Sequence, residues 1–77
     1  MFSQEVVEFP IAGKVTSVNV SQGTVVAEGD VLCVLESMKM ENPIIAPVAG
    51  IITEMKISVG QAASAGDLVV VIGYLKE

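Results

Sequence analysis

The sequence predicts an all-β fold, a compact sandwich or flattened barrel made of two copies of a four-strand unit related by a pseudo-two-fold axis. Residues 10–35 match residues 47–72 at a constant offset of 37 positions. The segments between glycines and prolines are short and rich in Val, Ile and Thr, which favour strands. A chain of 77 residues buries one thin core. We therefore expect a single domain over residues 1–77 in which neither half is stable alone.

Four strands are predicted before the midpoint of the chain. They are Glu5–Phe9, Lys14–Val20, Thr24–Val26 and Asp30–Ser37. The fourth strand contains an apolar run around Cys33, the lone cysteine of the sequence. Because Cys33 has no partner for a disulfide within the chain, we expect it to be a buried core thiol.

Four more strands are predicted after the midpoint. They are Met40–Ile45, Ile51–Ile57, Gln61–Ala63 and Leu68–Tyr74. The alternation of apolar residues breaks at the same place in both halves, near residues 16–17 and 53–54. A helix is rejected there because β-branched residues dominate and no run reaches the ~10–12 residues that a helix usually needs. A bulge or a strong local twist is expected at both places.

The turn residues repeat as well as the strands. Six of the seven glycines form pairs at the same offset, and each pair is expected to mark a turn with positive φ, which glycine adopts without strain. The pairs are Gly13 with Gly50, Gly23 with Gly60, and Gly29 with Gly66. Asp30 and Asp67 each follow a glycine directly, and we interpret both as turn residues and not as catalytic or metal-binding carboxylates.

Composition excludes several classes of function. Nine acidic residues against four lysines give a net charge of −5, which repels nucleic-acid phosphates and anionic headgroups. No apolar run approaches the ~18 residues of a membrane-spanning helix, so no membrane insertion is expected. Without His or Arg, a nucleophile–base pair or a transition-metal site is hard to build, and we expect no catalytic residue and no metal ligand. No secretory signal is visible, so a cytoplasmic location is expected, with an organellar matrix as the alternative.

The repeat is interrupted at the midpoint, where two strands approach a short tip. Met38 and Lys39 are left as a two-residue hairpin loop, although they are not the Asn-Gly that such loops favour. Lys39 alone would be an ordinary solvated charge. Met38 and Met40 are large apolar side chains beside that charge, where neither packing nor solubility calls for them. Since thioether side chains adapt to several partners, the tip is predicted to be a recognition surface.

The midpoint motif Glu-Ser-Met-Lys-Met-Glu, residues 36–41, closely resembles the attachment motif of biotin carboxyl carrier domains, usually Glu-Ala-Met-Lys-Met. The Pro-x-x-Gly entries at Pro10 and Pro47, the Gly-Asp turns and the internal symmetry are similar to the same family, so the resemblance covers nearly the whole chain. It implies a barrel-sandwich hybrid of two four-stranded antiparallel sheets. It also implies a carrier and not an enzyme.

The resemblance implies a role for each matching residue of the tip. Lys39 would hold biotin covalently, attached by a separate biotin protein ligase from an acyl-adenylate. The arm would carry carboxybiotin from a biotin carboxylase to a carboxyltransferase or decarboxylase subunit. Met38 and Met40 would help partner enzymes to recognise the tip. Glu36 and Glu41 would orient it, keep it soluble, or contact the ligase or partners.

Two departures from the family pattern and two alternatives stand beside this interpretation. Ser37 replaces a commoner Ala, and Ala12 replaces a Pro.

The first alternative is a lipoyl carrier domain, which also presents a hairpin lysine but usually has Asp before it and Ala after it. The second is an unmodified structural hairpin domain, which resembles carriers but bears no cofactor. The constant offset also argues against an inserted "thumb" loop.

Overall fold

The computed structural model describes residues 1–76, which fold into eight strands with no helix among them. Two four-stranded antiparallel sheets form, in the orders β1-β8-β6-β3 and β5-β4-β2-β7, which confirms the predicted fold class. The molecule is elongated, with extents of 40 × 19 × 19 Å. The strands are β1 (Phe2–Glu8), β2 (Gly13–Val18), β3 (Val25–Val26), β4 (Val31–Ser37), β5 (Met40–Ile45), β6 (Gly50–Met55), β7 (Ala62–Ala63) and β8 (Leu68–Leu75).

The predicted strand bounds hold to within two residues except at the start of β1. That strand begins at Phe2 and not at Glu5, because its first residues pair with the end of β8, Phe2 with Leu75 and Ser3 with Tyr74. Ser and Gln have little strand preference of their own, so pairing with a distant strand determines this start.

Every strand pair has a counterpart related to it by the pseudo-two-fold axis. Lys14 pairs with Glu36 between β2 and β4, and Ile51 pairs with Gly73 between β6 and β8, each 37 residues later. Each sheet takes two strands from the first four and two from the last four, because β3 pairs with β6 and β7 pairs with β2. The two halves are therefore interlocked, and neither contains a complete sheet.

The predicted bulges are confirmed in β2 and β6. The register shifts between Val15 and Ser17, and again at the equivalent step of β6. At each bulge a threonine hydroxyl donates a hydrogen bond to a carbonyl of the adjacent strand, Thr16 to Val34 at 3.3 Å and Thr53 to Val71 at 3.2 Å. The extra residue explains why the apolar alternation breaks there.

The glycine pairs divide into two kinds. Gly23 and Gly29 have φ values of 95° and 91°, and their repeat partners match them, as predicted for turns. The same interpretation is wrong for Gly13 and Gly50, which lie in strands and have no positive φ. A Cβ at Gly50 would collide with the carbonyl oxygen of Gly73. A Cβ at Gly13 would collide with the carbonyl oxygen of Glu36, which is the equivalent residue in the first half. These two glycines are required for close approach between backbones.

The Gly-Asp turns are closed by the aspartate side chains, as predicted. The Asp30 carboxylate accepts a hydrogen bond from the Ala27 N–H at 2.8 Å, and Asp67 accepts one from Ser64 at 2.9 Å. Each bond spans three residues and fixes the entry to β4 or β8.

The core lies between the sheets and is wholly apolar among the described residues. Phe9 is its largest side chain at 1% exposed, while the repeat-equivalent Ala46, also buried, is small. Met55 is partly buried and packs against this core. Cys33 is fully buried, and desolvation raises the pKa of its thiol to about 11, so it is the inert core thiol that the sequence predicted.

Candidate functional site

The β4–β5 hairpin ends in the two-residue loop that the sequence predicted. Ser37 pairs with Met40, which leaves Met38 and Lys39 to reverse the chain. Their φ values are 54° and 64°, the left-handed conformation that a type I′ turn needs at both positions. Neither residue is one that this region favours, and left-handed backbone costs an L-residue about 1–2 kcal/mol. The turn is strained where the predicted site lies.

The side chains of the tip project into solvent. Met38 is 92% exposed and Met40 67% exposed, and Lys39 is exposed as well. Within residues 1–76 the ion pair that forms is Lys56 with Glu54, so the Lys39 amine is not held by a carboxylate there. The amine is available to a reagent or an enzyme approaching from outside.

Two carboxylates lie directly behind the turn. Glu36 and Glu41 face each other across the hairpin, and both are exposed. Like charges in opposed positions destabilise a strand pair by a few tenths of a kcal/mol to about 1 kcal/mol. Lys14 on β2 pairs with Glu36 from the other side, which partly balances the negative charge. The result is a short charged row next to the apolar tip.

The tip lies at the end of the molecule away from both chain ends. Hydrogen bonds from Ala46 to Asp30 and from Gly29 to Ala46, both 2.8 Å, close the base of the hairpin. At the chain ends, the Lys76 N–H donates to the Met1 carbonyl at 2.8 Å. The pseudo-two-fold axis relates Met38 and Lys39 to Leu75 and Phe2, the pair next to those chain ends, so the tip and the chain ends lie at opposite ends of the molecule. The seven residues of β4 span about 20 Å from the hairpin base to the tip.

The described residues offer no other site of comparable definition. Residues 1–76 contain no pocket and no group of three or more His, Cys, Asp or Glu side chains placed to hold a metal ion. In the same range no helix is long and apolar enough to cross a membrane. The candidate site is therefore a projecting turn.

Comparison with protein families assigns the chain to a family. A family model described as "Biotin-requiring enzyme", the biotin-lipoyl model, matches residues 5–72. The chain belongs to this biotin-lipoyl family. The matched range contains the whole hairpin and both halves of the repeat.

Curated relatives of this biotin-lipoyl chain include two decarboxylase subunits and a biotinylated protein. The chain is 54% identical over 39 residues to the glutaconyl-CoA decarboxylase subunit gamma of Acidaminococcus fermentans, covering 51% of this chain and 27% of the relative. It is 50% identical over 42 residues to the methylmalonyl-CoA decarboxylase subunit gamma of Veillonella parvula, covering 54% and 33%. The Biotinylated protein TB7.3 homolog of Mycobacterium leprae is 50% identical over 42 residues, covering 54% and 59%. The matches thus span between about a quarter and three fifths of these relatives.

Solved structures support the same fold for this family member. A single-chain, multi-domain long-chain acyl-CoA carboxylase matches with a TM-score of 0.83 at 31% identity, covering 88% of this chain and 7% of that one. The urea carboxylase of Kluyveromyces lactis also matches with a TM-score of 0.83, at 28% identity, covering 91% and 6%. In both cases the similar region is a small part of a much longer carboxylase.

The structure brings together every residue that the sequence singled out at the midpoint. Glu36 to Glu41 form one continuous hairpin end. Sequence reasoning missed Lys14, which lies opposite Glu36 only because β2 pairs with β4. It also missed the left-handed conformation of Met38 and Lys39, for which the two-residue gap between strands was the available signal.

Proposed function

We propose that this chain is a biotin carboxyl carrier, with biotin held covalently on Lys39. It would carry a carboxyl group between a biotin carboxylase and a carboxyltransferase or decarboxylase site. The observation that carries the proposal is the placement of Lys39: an exposed amine in a left-handed turn, flanked by two exposed methionines, at the far end of a rigid module. The membership of the family and the decarboxylase and carboxylase relatives support it.

The residues of the tip fit a covalent biotin. The Lys39 amine is the nucleophile that forms an amide with the biotin carboxyl group, once a biotin protein ligase has activated that group. The ureido ring of biotin supplies the chemistry, because it takes up and gives back a carboxyl group. A site with no enclosing walls also suits a group that must enter the active sites of other proteins.

The chain's own contribution is positioning. The paired strands on both sides of Met38 and Lys39 fix where the lysine leaves the backbone, while the side chain itself stays free. Tethering turns each transfer into a nearly intramolecular event and raises the effective concentration of the carried group. Met38 and Met40 would contact partner enzymes, and Glu36 and Glu41 would orient the tip towards the ligase.

The partners in this proposal are a biotin protein ligase, a biotin carboxylase and a carboxyltransferase or decarboxylase subunit. We place the carrier with them in the cytoplasm, or in an organellar matrix. The two decarboxylase relatives are named for different acyl-CoA compounds, so we expect the choice of carboxyl donor or acceptor to belong to the partner subunit and not to this module.

The proposal is tested by co-expressing the chain with a biotin protein ligase and recording its intact mass. One added biotinyl group is expected. It should be absent from Lys39→Arg, which keeps the charge, and present in a matched control that changes the other three lysines to Arg, namely Lys14, Lys56 and Lys76. A lipoyl increment in cells that also express a lipoate ligase would instead support the lipoyl carrier. An unmodified chain beside an active ligase would support the structural hairpin domain.

A further inference from the structure

The sulfur atoms of the chain are unequally protected. Four methionines and one cysteine are present. Cys33 has no exposed surface, and burial raises its pKa to about 11, so the reactive thiolate is scarce at neutral pH. Met55 is half-buried against the core. By contrast, Met38 and Met40 on either side of Lys39 are 92% and 67% exposed.

We propose that Met38 and Met40 form an oxidation site that controls access to Lys39, in which peroxide oxidants convert both thioethers to sulfoxides and so prevent acylation of the lysine. This inference rests on the proposed function, since it concerns the loading of the same residue. The oxidant class is hydrogen peroxide or an organic hydroperoxide.

The oxidation step is a simple oxygen transfer. The thioether sulfur attacks one peroxide oxygen, the O–O bond breaks, and an S=O bond forms. The proton of the transferred oxygen passes to the second oxygen, which leaves as water, or as an alcohol from an organic hydroperoxide. Sulfur loses two electrons and the peroxide gains them. Methionine sulfoxide reductases reverse the change, one type for each sulfoxide epimer.

Exposure directs this reaction to the tip. Thiols are in principle more reactive towards oxidants than thioethers, but the Cys33 thiol is fully buried in β4, between β2 and β5. Met1 is also exposed, at 87%, but it lies beside Lys76 at the opposite end of the molecule. Oxidation of Met1 therefore provides an internal comparison: the same chemistry, remote from Lys39.

A sulfoxide changes what a partner meets at the tip. It replaces a flexible apolar side chain by a polar, chiral one. Because Met38 and Met40 are mostly exposed, their oxidation removes little packing from the folded module. The loss should fall on recognition of Lys39 and leave the fold intact.

The test uses the full chain, treated with dilute hydrogen peroxide and mapped by peptide mass. We expect sulfoxides at Met38 and Met40, with Cys33 unmodified. The ligase kcat/KM for the doubly oxidised chain should fall by about tenfold or more, a change of about 1.4 kcal/mol or greater in transition-state stabilisation. The thermal midpoint should stay unchanged, and treatment with both types of sulfoxide reductase should restore acylation.

Two variants separate the tip from the remaining sulfur atoms. Met38→Leu with Met40→Leu is compared with itself before and after peroxide, and its acylation should become insensitive to treatment whatever its starting rate. Met55→Leu should keep the sensitivity of the parent chain. The oxidation inference is overturned if the oxidised parent is acylated at the untreated rate, or if peroxide leaves Met38 and Met40 unoxidised. Neither result affects the proposed function. Failure of the untreated chain to accept biotin overturns the proposed function together with it.

Discussion

Lys39 occupies the position that the pseudo-two-fold axis assigns to Phe2 at the opposite end of the molecule. Met38 likewise corresponds to Leu75, and Phe2 and Leu75 form a cross-strand pair. The same backbone arrangement therefore ends in a tight turn at one end and in two separate strands at the other. The turn is the one element that the symmetry does not explain, and it bears the candidate site.

The left-handed backbone of Met38 and Lys39 should lower the stability of the folded chain. Replacing Met38 and Lys39 by Asn-Gly supplies residues that accept left-handed backbone, so the free energy of unfolding should rise by about 1–2 kcal/mol. Urea denaturation measures the change. Under the proposed function this variant should not accept biotin, because it lacks Lys39. Met38→Asn alone is the matched control, since it should recover part of the stability and keep the lysine. A double variant no more stable than the parent would contradict the assigned strain.

The close approach at Gly50 should make that position intolerant of a side chain. Gly50→Ala puts a Cβ against the carbonyl of Gly73, so part of the β6–β8 pairing must shift, and we expect a loss of about 2 kcal/mol or more. Gly23→Ala is the comparison. A Cβ there meets nothing within 4 Å, and its penalty of about 1 kcal/mol comes from its φ of 95° alone. Thermal denaturation of both variants should rank Gly50→Ala as the more damaging.

The two outer strands carry Val6 in β1 and Pro43 in β5 at equivalent positions. Val6 pairs with Val71 in the same register as Pro43 with Val34, and proline has no N–H to donate. The Val6 N–H must therefore point away from β8. We expect Val6→Pro to change the free energy of unfolding by less than about 1 kcal/mol, whereas Val7→Pro should cost about 3 kcal/mol or more.

Circular dichroism and urea titration of the two proline variants provide the measurement. An equal loss of stability in both variants would contradict the inferred direction of the Val6 N–H. It would show that the open edge of β1 differs from that of β5. The Val6→Pro variant should also associate edge to edge less than the parent chain does, because proline removes one free N–H donor from an exposed strand.

Burial of Cys33 predicts a specific loss of stability at high pH. The pKa of its thiol rises from 9.0 to about 11 on folding, so the folded state holds the proton longer than the unfolded chain does. Its contribution is fully present well below pH 9 and is lost as the pH rises from 9 towards 11, with roughly 1 kcal/mol lost between pH 9 and pH 10. Urea titrations of the parent and of Cys33→Val at pH 8, 9 and 10 measure this loss. Subtracting one free energy of unfolding from the other at each pH removes the contribution of the other titrating groups.

Cys33→Val should lose less stability than the parent between pH 9 and pH 10. Parallel pH profiles would contradict the shift. A thiol reagent such as a disulfide-exchange dye should also leave folded Cys33 unmodified at pH 8 and label it on denaturation, in keeping with a thiol that has no exposed surface.

The repeat made much of this fold predictable. Short segments rich in Val, Ile and Thr between the turns located eight strands, and a break in alternation shared by both halves located the two bulges, because these features are encoded locally. The exchange of β3 and β7 between the sheets was not visible, since it depends on pairing between distant segments. Gly13 and Gly50 were assigned the wrong physical reason because the sequence shows that a side chain is absent, and not whether φ or a neighbouring backbone requires it.

The site was predictable in its residues more than in its geometry. The two-residue gap and the neighbouring methionines singled out Lys39 and its surroundings. The positive φ of Met38 and Lys39 ran against residue preference, and only the register of Ser37 with Met40 imposes it. Lys14 joined the site through pairing that no local pattern records.

The hydrogen bond between Met1 and Lys76 has a mechanical consequence. Both ends of the described chain leave the module at one point, and Lys39 lies at the far end of a body 40 Å long. In any larger protein that includes this module, both connections would meet it at the end away from Lys39. Rotation about that end would displace the lysine by much more than its side chain can reach, because the long dimension of the module sets the radius.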